Sequence, residues 1–126
     1  MALRVVIADD EPKVLRELAS VLSSEFQIVA KASDGNLALD CIREYRPDVA
    51  VLDLRMPGLN GLEVTRRMTD WPSRPAVVIC SVESDPDVVE AALQAGALGY
   101  VLKSRIATDL IPAVNSVSQG SRYASV

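Results

Sequence analysis

Four apolar runs in this 126-residue chain each end on a group that can do polar chemistry. Residues 3–8 run into Asp9-Asp10-Glu11, 49–52 end on Asp53, 76–80 end on Ser81, and 99–102 end on Lys103. Burying a carboxylate alone is too costly, so one that follows a buried run must be paired or sit at an open edge. Taken singly, each residue has an ordinary explanation. Asp9 and Asp10 could favour a helix start through the dipole; Asp53 could cap a loop, Ser81 could cap a turn, and Lys103 could be solvated. As a set they suggest more. Three carboxylates in one pocket either raise a pKa or hold a cation. Oxygen-only ligands favour a hard ion, Mg²⁺ or Mn²⁺. A lysine and a hydroxyl beside that ion form a phosphate cradle, in which a carboxylate can attack phosphorus in line and become an acyl phosphate.

The set works only if the run ends meet. Residues 3–8, 26–30, 49–52, 76–80 and 99–102 are short and nearly uncharged, as strands buried on both faces are. Helical spacing fills the gaps. Val14, Leu15, Leu18, Val21 and Leu22 follow Pro12, while Leu37, Ala38, Cys41, Ile42 and Tyr45 precede Pro47. Leu62, Val64, Met68 and Trp71 form a third pattern, stopped by Pro72 and Pro75. A fourth runs from an Asp85 cap to Gly96, and a fifth spans 108–118 before Gly120. Pro112 lies within the fifth. Capping at Thr108 or Asp109 would bring it near the first turn, where a missing N–H is harmless, so that helix is expected to start late or bend. Five alternations of strand and helix imply an α/β doubly wound parallel sheet. Ligands bind such sheets at the carboxyl ends of the strands, where all four chemical groups fall. One domain over 1–120 is expected, with 121–126 the start of a linker or a frayed tail.

Composition removes several classes. There is no histidine, which excludes Ser-His-Asp and Cys-His catalysis and most zinc sites. The net charge of −4 argues against a general nucleic-acid surface. Cys41 and Cys80 lack CxxC spacing and read as reduced thiols of a cytoplasmic protein. No apolar run approaches the roughly 18 residues of a membrane helix, and no basic and apolar signal segment opens the chain.

The acidic pair, Asp53 in Asp-Leu-Arg-Met-Pro-Gly-Leu-Asn-Gly, Ser81, Tyr100 and Lys103 together resemble the receiver domain of bacterial two-component response regulators, over residues 3–120. Ala-Gly-Ala-Leu-Gly-Tyr-Val-Leu-Lys-Ser and the ending Val-Ser-Gln-Gly-Ser-Arg-Tyr are similar to the NarL/FixJ type. The resemblance implies a flavodoxin-like (βα)5 sandwich with a five-stranded sheet of order 2-1-3-4-5. It implies that Asp53 is the phosphoacceptor, supplied by a sensor histidine kinase. Asp10, Asp53 and the backbone carbonyl of Arg55 would hold the metal, with Asp9 acting through water. Ser81 would hydrogen-bond the phosphoryl group, and Tyr100 would turn inward as Ser81 moves. Such a protein is a phosphoacceptor rather than an enzyme. It would pair as a homodimer on phosphorylation and reach DNA only through a C-terminal helix-turn-helix domain beyond Val126; a stand-alone receiver acting on a protein partner is the alternative. Two departures stand out: Ser104 where many receivers have proline, and Pro112.

Two other classes compete. A haloacid-dehalogenase-like phosphotransferase also uses Asp, Mg²⁺, Ser and Lys at strand ends, but needs an acid-base Asp where this chain has Arg55. A structural adaptor of the same fold would have no use for an intact Asp10, Asp53, Ser81 and Lys103.

Overall fold

The computed structural model describes residues 2–126. Strand and helix alternate as the apolar spacing requires. The elements are β1 (Arg4–Ala8), α1 (Pro12–Leu22), β2 (Gln27–Ala32), α2 (Gly35–Tyr45), β3 (Val49–Asp53), α3 (Gly61–Arg67), β4 (Ala76–Ser81), α4 (Pro86–Ala95), β5 (Gly99–Leu102), a 3₁₀ turn (Lys103–Arg105), α5 (Ile106–Ser118) and β6 (Tyr123–Ala124). The helix starts follow local chemistry. Pro12 and Pro86 occupy first turns, Asp34 and Asp85 accept backbone N–H bonds as caps, and Asn60 and Glu63 form a reciprocal capping box.

Successive strand residues point to opposite faces, which gives the sheet two cores. Val6, Ala8, Ala50, Leu52 and Ile79 pack with Ala38 and Ile42 of α2, Val64 of α3 and Ala92 of α4. Val5, Ile7, Val51, Val78 and Val101 pack with Leu18 and Leu22 of α1 and Leu110, Val114 and Val117 of α5. Every strand pairing is parallel, in the order β2-β1-β3-β4-β5-β6. The flavodoxin-like expectation therefore holds for the first five strands, but the sheet has six.

The sixth strand corrects the reading of 121–126 as a frayed tail. Tyr123 N–H donates to the Leu98 carbonyl at 3.1 Å, and Ser125 N–H to the Tyr100 carbonyl at 2.9 Å. Ser125 Oγ donates to Asp109 Oδ2 at 2.7 Å. Asp109 is thus a clamp rather than a helix cap, and it also accepts bonds from Arg105 and Thr108. Those donors, Arg105 first and then Ser125, hold its carboxyl down to about 2. We predict that Asp109→Ala speeds amide exchange at Tyr123 and Ser125 while β1 and β3 stay protected. Unchanged exchange at those two amides would show that the tail needs no clamp.

The expected late start of the last helix is also corrected: α5 begins at Ile106 and passes through Pro112. An interior proline costs about 3 kcal/mol because it removes a hydrogen bond and crowds the preceding turn. Here Pro112 and Thr108, whose carbonyl loses its donor, both face solvent, where water can take the vacated bond. Ile106, Leu110, Ala113, Val114 and Val117 are all buried on the opposite side, and that burial outweighs the loss. The third helical pattern also stops earlier than its apolar spacing suggests. α3 ends at Arg67, and Trp71 lies in the turns beyond it.

Candidate functional site

Strand register brings the chemical groups together. Ala8 pairs with Leu52, Leu52 with Ile79 and Ile79 with Tyr100, forming one row across the sheet. One residue further along, Asp53, Cys80 and Val101 form the next row, and Asp9 follows directly on Ala8 at the end of β1. Ser81 and Lys103 follow just past that row, on the same carboxyl edge. Each group sits where its strand stops, so its side chain can leave the two cores and turn to the edge. The loop after β3 returns tightly beneath the site. A Cβ on Gly61 would meet the Asp53 carbonyl oxygen, so only glycine lets α3 begin this close.

The resulting pocket, about 200 Å³, is lined by Asp10, Asp53, Arg55, Ser81 and Lys103 among others. Asp9 is fully buried and Asp53 is 5% exposed, whereas Asp10 faces solvent. Lys103 Nζ lies 2.9 Å from Asp9 Oδ2 and 3.3 Å from Asp53 Oδ1. Asp9 Oδ1 accepts the Glu11 N–H at 2.9 Å. Its buried Oδ2 has no properly angled hydrogen bond, only the ion pair with Lys103. Burial, followed by the charge of Asp9, pushes the Asp53 carboxyl up to about 6, against the pull of Lys103. Burial lowers Lys103, yet its close approach to Asp9 and the charges of Asp53 and Asp9 leave it above its ordinary value.

One oxygen each from Asp9, Asp10 and Asp53 lie within 4.8 Å of one another. Three carboxylates against one ammonium leave two negative charges in excess. An oxygen-only set with that excess fits a hard divalent cation such as Mg²⁺.

Ser81 and Tyr100 converge on one residue that sequence reasoning missed. Glu83 N–H donates to Ser81 Oγ at 3.1 Å, and Tyr100 Oη donates to the Glu83 carbonyl at 2.8 Å. The Glu83 carboxylate meets the Arg55 guanidinium at 2.8 Å, in an exposed pair over the pocket. No local pattern marks Glu83; only the fold brings it near Arg55. Tyr100 is already fully buried, so from this conformation no inward turn remains. Cys80 shares the row but not the chemistry: burial pushes its thiol up to about 12, which leaves it inert. Cys41 and Cys80 are both free.

Comparison with known proteins agrees with this geometry. The family profile described as "Response regulator receiver domain" matches residues 5–115. The transcriptional regulatory protein DegU of Brevibacillus brevis is 36% identical over 123 residues, covering 96% of this chain and 52% of its own length. The signal receiver domain of NarL from Mycobacterium tuberculosis superposes with a TM-score of 0.90 at 36% identity, covering 94% of this chain and 98% of that one. A LuxR-family two-component response regulator from Aurantimonas sp. SI85-9A1 superposes with a TM-score of 0.91 at 30% identity, covering 98% and 89%. The chain spans about half the length of the curated relatives it matches. By profile, relatives, fold and pocket alike, the chain belongs to the response regulator receiver domain family.

Proposed function

We propose that this domain is a phosphoacceptor switch, taking a phosphoryl group on Asp53 from the phosphohistidine of a sensor histidine kinase in the cytoplasm. One observation carries the reading: Asp53 stands at the end of a fully buried strand, in ion-pair contact with Lys103, with Asp9 and Asp10 in reach. Asp10, Asp53 and the backbone carbonyl of Arg55 are the proposed ligands of Mg²⁺, with Asp9 acting through water. Mg²⁺, when bound, would offset negative charge on the phosphoryl oxygens. A free Asp53 oxygen attacks phosphorus, and the phosphorus–nitrogen bond to the kinase imidazole breaks with its electron pair on nitrogen. Lys103 neutralises charge that builds on the transferring group. Ser81 can turn its hydroxyl proton to a phosphoryl oxygen. Its oxygen already accepts the Glu83 N–H, so a hydroxyl drawn toward the phosphoryl group would pull on the Glu83 backbone, whose carbonyl holds Tyr100, and so couple Asp53 to that contact.

The phosphorylated domain then pairs with a second copy, through α1 and α5 or through α4, β5 and α5, and controls an effector. In the longer proteins it resembles, that effector is a C-terminal helix-turn-helix domain that contacts DNA. The test is intact-mass spectrometry after incubation with acetyl phosphate, with and without Mg²⁺. One phosphoryl mass gained only with the ion supports the reading; none under either condition sinks it.

The metal ligands can be ranked. Asp9 is already committed to Lys103 and the Glu11 amide, while exposed Asp10 is free to coordinate directly. We predict that Asp10→Ala weakens Mg²⁺ binding at least about tenfold, or about 1.4 kcal/mol. Calorimetry should read it, since Trp71 lies near the amino ends of the strands, away from this pocket. Equal heats and affinities in the variant and the parent would remove Asp10 from the ligand set.

A further inference from the structure

The chain supplies its own cover for the edge of its sheet. Without β6, β5 would be the last strand and would present a row of unpaired backbone groups. Residues 121–126 close that edge, with Tyr123 beside Gly99 and Ala124 beside Tyr100. The cover is short: β6 spans two residues. Its ties include the backbone bonds to Leu98 and Tyr100, the Ser125–Asp109 bond at 2.7 Å, and the half-buried Tyr123 packed against the core that holds α5. An element with so few contacts belongs to the low-stability end of a fold.

Its departure would strand no charge. Gly120 turns the chain out of α5 at φ 82°, and open space lies where a Cβ would stand, so the hinge is free to rotate. Without Ser125, Asp109 keeps Arg105 Nε at 2.8 Å and Thr108 Oγ1 at 3.0 Å, so its carboxylate stays paired. The Tyr100 carbonyl, at a sheet edge, passes to water.

Tyr100 joins this cover to the pocket. Its hydroxyl donates to the Glu83 carbonyl at 2.8 Å, and the Glu83 N–H donates to Ser81 Oγ at 3.1 Å. The carbonyl of the same Tyr100 accepts the Ser125 N–H at 2.9 Å. That length is near-ideal in the conformation that engages Ser81 at Glu83.

We propose that residues 121–126 are a releasable cover of the β5 edge, docked in the resting domain and freed when Asp53 carries a phosphoryl group. The inference rests on the phosphoacceptor reading above. Drawing Ser81 and Glu83 toward the phosphoryl group displaces Tyr100, and the displaced carbonyl loses its fit to Ser125. Docked and released tails are two discrete states, so a small shift is amplified. The output is an open β5 edge and a free segment after Gly120.

Beryllofluoride with Mg²⁺, a stable mimic of a phosphoryl group on aspartate, is the probe, added to the full chain. Calorimetry reads its binding, and amide exchange followed by NMR reads the tail. At saturation, exchange at Tyr123 and Ser125 should quicken at least about fivefold, while amides of β1 and β3 hold or slow. The opposite signs separate release from a general change in stability. Coupling is reciprocal, so Ser125→Pro, which lacks both the N–H and the hydroxyl, should bind beryllofluoride about fivefold more tightly than the parent. Tyr100→Phe, which breaks the link to Glu83, should lose most of the exchange response. Saturable heats with unchanged or slower exchange at Tyr123 and Ser125 would overturn the cover alone. So would parental affinity in Ser125→Pro or a full response in Tyr100→Phe. No binding heat in the parent would overturn the phosphoacceptor reading and the cover together.

Discussion

Asp53→Asn is expected to end phosphoryl acceptance completely and, in metal-free protein, to raise the stability of the domain at about pH 8 by up to about 3 kcal/mol. The first effect follows from losing the anionic oxygen that attacks phosphorus. The second follows from burial. The Asp53 carboxyl stands at about 6 in the folded protein, against 3.8 for an ordinary aspartate. A carboxyl raised on folding binds its proton more tightly in the native state. Its ionisation is therefore penalised in the fold, and the penalty is absent below the unfolded value, grows between the two, and is complete above about 6. The amide carries no such charge, although it forfeits the ion pair with Lys103, which trims the gain. Urea unfolding in EDTA at about pH 8 and about pH 4 measures the difference. The variant should be the more stable at the higher pH, with the gap closing at the lower. A variant less stable at both would mean that the Lys103 pair outweighs the burial cost. Acetyl phosphate labelling at any other residue of the variant would remove Asp53 as the acceptor.

Lys103→Met should act in the opposite sense, destabilising the metal-free domain by about 3–5 kcal/mol at neutral pH. Among the described residues, the ammonium is the only cation within ion-pair reach of Asp9 and Asp53, both of which are buried. Methionine keeps an apolar stem of similar reach and leaves the carboxylates facing each other without compensation. Without the pull of Lys103, Asp53 in the variant takes up its proton above the parent's value of about 6, and much of the loss should disappear as pH falls through that range. Lys103 is itself held above its ordinary value, so in the parent its contribution persists to strongly alkaline pH and fails only as the ammonium deprotonates. Equal destabilisation at about pH 8 and about pH 4.5 would assign the effect to packing instead. The same variant should slow phosphorylation, because charge on the transferring group loses its neutralising partner.

Both effects arise from one economy in the fold: the chain stores excess negative charge where a divalent ion and a phosphoryl group are expected to meet. Mg²⁺ should therefore stabilise the parent more than Asp53→Asn, since the amide removes one anionic ligand.

Much of this was legible in the sequence. Apolar runs short enough for strands, separated by helical spacing and punctuated by Pro12, Asp85 and Gly96, specify the alternation, because those signals act within a few residues. The parallel sheet follows from that alternation, and the placing of Asp9, Asp10, Asp53, Ser81 and Lys103 at one edge follows from the sheet. Register decided the rest. Which strand end lies beside which is set by long-range pairing, so the contact of Lys103 with both Asp9 and Asp53 is a tertiary fact. So is the meeting of Ser81, Tyr100 and Arg55 at Glu83, residues that share no local pattern. Pro112 was misread because local helix chemistry argues against it, while the buried face running from Ile106 to Val117 decides the helix. The tail was misread because residues 121–126 carry little apolar signal of their own. They become a strand only because β5 offers an open edge and Asp109 waits beside it to hold Ser125.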